Sequence, residues 1–209
     1  MNHSINQSYY LFLERKDIIK IMRTHIITTL ILGLLISNSP LQASRLYEPI
    51  HGESVIQFDI KHLAQGVISG RFRASEIQLR GNPLSDPNAQ VTCTINVNSL
   101  DTKNRSRDRH LKSNDFFDLS RYPVITFNSD TIVPSTSGYI AKGHLGIKGN
   151  RLPLSIPFQV QKNSATHLHI TAQVPINRFE AGITTYRRLI QPTANIQLLL
   201  VLREAPATQ

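Results

Sequence analysis

Tryptophan is absent from this 209-residue sequence, and cysteine occurs once, at Cys93. The first absence removes the strongest stacking residue from any nucleic-acid platform. The second excludes an intramolecular disulfide framework and a multi-cysteine zinc site. Glycine (10) and proline (11) are too few for a collagen-like or low-complexity chain. Charged residues are also sparse, at 18% against 40% apolar, which fits neither disorder nor a fibre. No G-x-S-x-G elbow and no glycine-rich phosphate loop occurs, so no motif argues for an enzyme.

What charge there is leans positive, with a formal net of +9. Whether that sign means nucleic acid depends on the compartment. Ile26–Ile36 reads IITTLILGLLI, an uncharged run of 11 residues, short of the roughly 20 apolar residues that cross a bilayer. Lys20 and Arg23 precede it, and a polar stretch leads to Ala43. A basic start, a short apolar core and a small residue before the cut describe a secretory leader. Residues 1–43 are expected to be that leader, with Met22 as an alternative start and 1–21 as an upstream extension. An uncleaved anchor is the competing reading. Residues 44–209 then form the mature domain, with 19 basic against 12 acidic residues. An exported protein does not meet the genome, so the basic balance points to solubility or an anionic lipid head rather than to nucleic acid.

The mature segment is dominated by period-two alternation, the mark of a strand with one apolar face. Val91, Cys93, Ile95 and Val97 alternate with polar residues, as do Leu152 to Val160 and Leu168 to Ile176. Weaker versions surround Phe58, Phe72, Phe127, Leu145 and Leu198. With turn signals such as Gly149-Asn150 between them, eight strands are expected, near 54–63, 66–80, 90–99, 123–133, 138–148, 151–162, 166–177 and 194–203. Eight antiparallel strands with one apolar face each make a sandwich or a closed barrel, all-β in either case. Pro153 and Pro157 remove ladder donors and predict an edge-like or bulged strand with both prolines facing outward. Thr102–Tyr122 reads as one or two helical turns, placed to cover one end.

His167 and His169 share a strand face but sit on its polar side without a matching carboxylate, which favours solvated surface over a metal site. Cys93 alternates with apolar neighbours and reads as a buried structural thiol. Lys103, Arg105, Arg107, Arg109 and Lys112 form a basic run interrupted by Asp101, Asp108 and Asp115. It is either a solvated face with local ion pairs or a cationic collar at a pocket mouth. Arg178 either clasps Glu180 or Asp115 or faces the cavity entrance.

The order and spacing of several strings resemble the YceI-like family. They are Ser54-x3-Phe58-x-Ile60-x-His62-Leu63, Gly66-x3-Gly70-x-Phe72 and Ser99-Leu100-Asp101-Thr102. The longest runs from Arg107-Asp108 through His110-Leu111-Lys112-Ser113 and Asp115-Phe116-Phe117-Asp118 to Tyr122-Pro123-x-Ile125-Thr126-Phe127. Gly143-x-Leu145-x-Ile147-x-Gly149 and Ile176-Asn177-Arg178 complete the set. The resemblance implies an eight-stranded antiparallel lipocalin-like barrel, exported to the periplasm, that binds a polyisoprenoid or similar amphiphile without a cofactor or metal. Glu53, the Glu180-Ala181 pair, and the loop Thr184–Pro192 with Tyr186, Arg187 and Arg188 depart from the family pattern, and bear on ligand identity rather than fold.

The expected ligand site is therefore an apolar tube lined by Phe58, Ile60, Phe72, Cys93, Ile95, Phe127, Leu145, Phe158, Ile170 and Leu198. Arg107, Arg109 and Arg178 are expected near the head group. The expected partner is an isoprenoid, quinone-like or other long-chain lipid, with transient membrane contact and a homodimer as further expectations. The rival is a non-carrier barrel filled by its own side chains and acting through protein contacts.

Overall fold

The computed structural model describes residues 45–206 except 51, 74, 163 and 165; the expected leader lies outside the described residues. Eleven strand segments form one antiparallel sheet: β1 Leu46–Pro49, β2 Val55–His62, β3 Gly66–Phe72, β4 Ser75–Arg80, β5 Gln90–Asn96, β6 Leu100–Asp101, β7 Val124–Ser135, β8 Gly138–Ile147, β9 Asn150–Lys162, β10 His167–Asn177 and β11 Ile190–Glu204. Among the described residues a single short α-helix, α1 Arg105–Leu111, lies between β6 and β7.

The segments reduce to eight strands. β11 is long enough to pair with β2 over Ile190–Leu199 and with β1 over Leu202–Glu204 on the same edge. β1 and β2 are therefore two halves of one broken strand. β3 and β4 are likewise two halves of the next, since β2 pairs with β3 and β1 with β4. A 3-10 turn at Val97–Ser99 separates β5 from β6. Because β1 joins both β4 and β11, the sheet closes into an eight-stranded up-and-down barrel. Closure removes the edges that an open sheet would leave unpaired.

The strand breaks are chemically patched. Between β1 and β2 the Ser54 hydroxyl stands in for the missing ladder, accepting from Val201 N–H (3.1 Å) and donating to Val201 O (3.3 Å). Near the start of β5, Val91 N–H donates to the Ser129 hydroxyl (2.8 Å), where β7 carries a register shift. Lys148 and Gly149 both take positive φ, 47° and 76°, as the tight β8–β9 hairpin requires. The Gly149 Cα lies against the Tyr122 ring, so a side chain there would collide with it (2.8 Å to Cε1).

Several boundaries differ from expectation. β1 is an added segment, because four residues are too few for alternation to register. The expected strand 66–80 is two segments, β3 ending at Phe72 and β4 starting at Ser75, and the last strand starts at Ile190, ahead of a bulge between Ile190 and Ala194. Pro153 and Pro157 do face outward and are exposed. β9 is not an edge, yet its ladder is one-sided where they sit: it pairs with β8 over Asn150–Phe158 but with β10 only over Phe158–Lys162.

Candidate functional site: a one-ended apolar cavity

The barrel encloses a cavity of about 610 Å³, within the range of ligand-holding pockets. Its wall is the inward set of every strand. Phe58, Ile60, Phe72, Cys93, Ile95, Phe127, Leu145, Phe158, Ile170 and Leu198 all border it. At one end the lumen is packed shut: Tyr47, Leu79, Leu168 and Leu202 are each at most 1% exposed. Apart from Gln57 within β2, the polar groups of the lining lie at the other end: His62, Gln65, Asn104, Ser106, Arg107, His110 and Arg178, together with Tyr186 and Leu189.

The mouth is built by three segments: the β2–β3 turn, the stretch from α1 to Tyr122, and the loop Phe179–Leu189. Asn104 caps α1 by accepting from Ser106 and Arg107 N–H (3.1 and 3.0 Å). Asp108 then accepts from both the backbone and the hydroxyl of Thr102 (2.9 and 2.6 Å). Arg107 donates from Nε to Thr102 Oγ1 and from Nη2 to Thr102 O (both 2.8 Å). One buried threonine thus pins the helix across the mouth through two charged side chains. Phe117 and Phe58 each meet Phe72, both with ring centroids 6.0 Å apart. His110, Phe116 and Tyr186 form a second cluster, with Phe116 and Tyr186 stacked at 5.9 Å. Gly70 leaves room for the first cluster, since a Cβ there would lie 2.6 Å from Phe58 Cε1.

Arg178 answers the question its sequence position left open. It is 5% exposed and donates to the carbonyls of Gln191, Ile183, Thr185 and Ile190 (2.8–3.0 Å). Neither Glu180, which accepts from Asn177, nor Asp115 is its partner. Burial first, and then the charge of Arg187, lower its pKa from the ordinary arginine value. Arg178 thus borders the cavity while its guanidinium is committed to holding the mouth loop.

Cys93 is half-buried by area, but the surface it shows faces the lumen. Desolvation pushes its thiol up to about 12, so it stays protonated and unreactive at neutral pH. Asp101, ringed by Arg73 (2.6 Å), Lys103 (3.4 Å) and Arg71 (3.6 Å), is held well below the usual carboxylate range, chiefly by the Arg73 hydrogen bond. His167 is engaged by Ser164 and Thr166 (3.0 Å each). Among the described residues no three His, Cys, Asp or Glu side chains are placed to hold a metal.

With this geometry in view, the model of the YceI-like domain matches residues 47–202. The chain belongs to the YceI-like family. A UPF0312 protein of Staphylococcus aureus strain USA300 is 34% identical over 136 residues, covering 62% of this YceI-like chain and 77% of the relative. A UPF0312 protein of Vibrio cholerae is 32% identical over 102 residues, 48% and 54% of the two chains, so this chain spans about half the length of the first curated relatives it matches. Among solved structures, BcnA of Burkholderia cenocepacia superposes with a TM-score of 0.69 at 24% identity, over 73% of this chain and 98% of that one. A polyisoprenoid binding domain from Saccharophagus degradans, implicated in plant cell wall breakdown, gives 0.59 at 16% identity over 76% and 98%. Both similarities speak to the fold.

Of the residues singled out for the YceI-like site, Arg109 is the misplacement: it is exposed and does not border the cavity. On α1, Arg107 turns to Thr102, which leaves Arg109, two residues on, facing solvent. Phe116, Phe117 and Leu189 at the mouth were not among the expected lining residues, and Tyr186 was marked only as a departure from the family pattern. They lie in irregular segments where no periodicity marks an inward face. The one available signal was the aromatic density of Phe116-Phe117.

Proposed function

We propose that this protein carries a long-chain amphiphile, an isoprenoid or a quinone-like lipid, through the periplasm with the tail in the barrel and the head at the mouth. The single observation behind this reading is the cavity's polarity: an apolar lumen, shut at one end, with all of its polar lining but Gln57 gathered at the other. That arrangement suits a molecule with one hydrocarbon tail and one polar head. The neighbour described as a polyisoprenoid binding domain supports the same ligand class. The leader expected over residues 1–43 supports the compartment.

The energetics favour a deep tube. Each buried methylene gains about 0.8 kcal/mol, so a five-carbon unit contributes roughly 4 kcal/mol. Association costs on the order of 4–15 kcal/mol, and several units must enter before binding is useful. The collar of Phe58, Phe72 and Phe117 narrows the entrance without adding a polar group. The lumen wall is predominantly apolar and its one thiol, Cys93, is protonated, so binding rather than catalysis is our reading. A barrel filled by its own side chains, the rival expectation, is disfavoured by the open cavity. The test is solvent extraction of the gently purified protein followed by mass spectrometry, with uptake of added polyprenyl tails. A long-chain lipid or saturable uptake supports carriage; neither, in a folded preparation, refutes it.

A further inference from the structure

We infer that the mouth rim is a bilayer-docking surface for anionic lipid, through which the cavity meets a membrane; this rests on the carrier reading only for its purpose, not for its geometry. Seven large apolar residues are conspicuously exposed among those described: Leu63 (71%), Val67 (60%), Leu199, Tyr186, Leu189, Val124 and Leu84. Four of them ring the mouth. Leu63 and Val67, the two most exposed, sit on the β2–β3 turn and at the start of β3 respectively. Tyr186 and Leu189 sit on the facing loop, joined to that turn by Leu63 N–H donating to Leu189 O (2.8 Å). Solvent-exposed apolar tips gathered at a pocket entrance are the feature expected of a surface that enters the boundary region of a bilayer.

Charge selects the kind of bilayer. Lys61, Arg187 and Arg188 flank these tips, and Arg105 and Arg109 lie on the exposed side of α1; none has an ion-pair partner among the described residues. The acidic residues near the mouth are occupied elsewhere. Asp101 takes three cations, Asp108 binds Thr102, Asp115 faces His110, Asp118 accepts from Ser120 beside Arg121, and Glu180 accepts from Asn177. At the shut end the charges cancel locally instead, Arg45 with Glu204 and Arg203 with Glu48. Cations that lack ion-pair partners beside exposed apolar tips, at the end where the cavity opens, complement a negatively charged lipid surface.

The experiment is co-sedimentation of protein purified from cells expressing the full chain, with phosphatidylcholine vesicles and with mixed phosphatidylcholine–phosphatidylglycerol vesicles. Uptake of a soluble fluorescent polyene tail is measured in parallel without vesicles. The expected result is pelleting with the mixed vesicles only, weakening at high salt as screening shortens from about 10 Å to about 3 Å. The paired substitutions Leu63→Ser with Val67→Ser, and separately Lys61→Gln with Arg188→Gln, should each weaken vesicle binding about tenfold or more. Tail uptake should stay unchanged, because none of the four side chains borders the lumen. No pelleting of the unaltered protein, equal pelleting with both vesicle types, or pairs that pellet like the unaltered protein would each overturn the docking surface. Pelleting as expected with no tail uptake sinks the carrier reading and leaves the docking surface standing.

Discussion

Ala172 offers the sharpest test of an open lumen. It lies midway along β10, is 7% exposed, borders the cavity, and pairs with Leu198 on one side and Phe158 on the other. Ala172→Phe would project a ring across the tube between mouth and shut end. If the lumen is open, the ring fills free apolar space and stability rises by about 1 kcal/mol, a Tm gain of about 2–4 °C for a domain of this size. If the lumen were filled by side chains, the same ring would overpack it and cost about 1–3 kcal/mol. A tail barred from the deep half loses at least one five-carbon unit, roughly 4 kcal/mol or about a thousandfold in Kd. Differential scanning fluorimetry reads the first effect and displacement of a fluorescent tail the second. Thr171→Phe, the neighbouring outward position, should change neither by much. A lower Tm for Ala172→Phe would refute the open lumen, and a higher Tm with unchanged affinity would refute threading of the tail past Ala172.

Three further outcomes follow from named groups. The Cys93 thiol, pushed up to about 12, should react with a charged disulfide reagent roughly a thousandfold more slowly than an unfolded thiol. Because its folded value is raised, its contribution to stability is present below the ordinary thiol range and is lost as pH rises towards 12; urea titrations of the protein and of Cys93→Ala across alkaline pH check the sign. Arg178→Met should cost about 3 kcal/mol by leaving buried carbonyls without a donor, with faster amide exchange confined to residues 179–190; a global change in exchange would contradict the clasp. Tyr47 is 1% exposed and its hydroxyl has no protein partner in reach. Tyr47→Phe should therefore leave stability unchanged or raise it by about 1 kcal/mol, and a clear loss on chemical denaturation would show that the hydroxyl is satisfied.

Much of this molecule was readable before any coordinates. Alternation at Leu152–Val160 and Leu168–Ile176 is a local property of the chain, because successive strand side chains face opposite sides whatever the partner strand. That is why the ten apolar residues named from the pattern all border one cavity, and why the outward prolines of β9 could be anticipated. The longest family string, around Arg107–Asp118, was also visible. Its division of labour was not, since nothing in the spacing tells that Arg107 and Asp108 grip Thr102 while Arg109 points to solvent.

Fold class and inward face were thus determined by the amino-acid order alone, through backbone periodicity and the burial of one apolar side per strand. Closure of the ring through β1, the shut end made by Tyr47, Leu79, Leu168 and Leu202, and the commitment of Arg178 to four carbonyls were decided only in three dimensions. Each depends on contacts between segments distant along the chain, such as β1 with β11, whose geometry no local pattern encodes. The same holds for the mouth: Leu63 and Leu189 look like ordinary apolar residues until folding sets them side by side, uncovered, among cations that lack ion-pair partners.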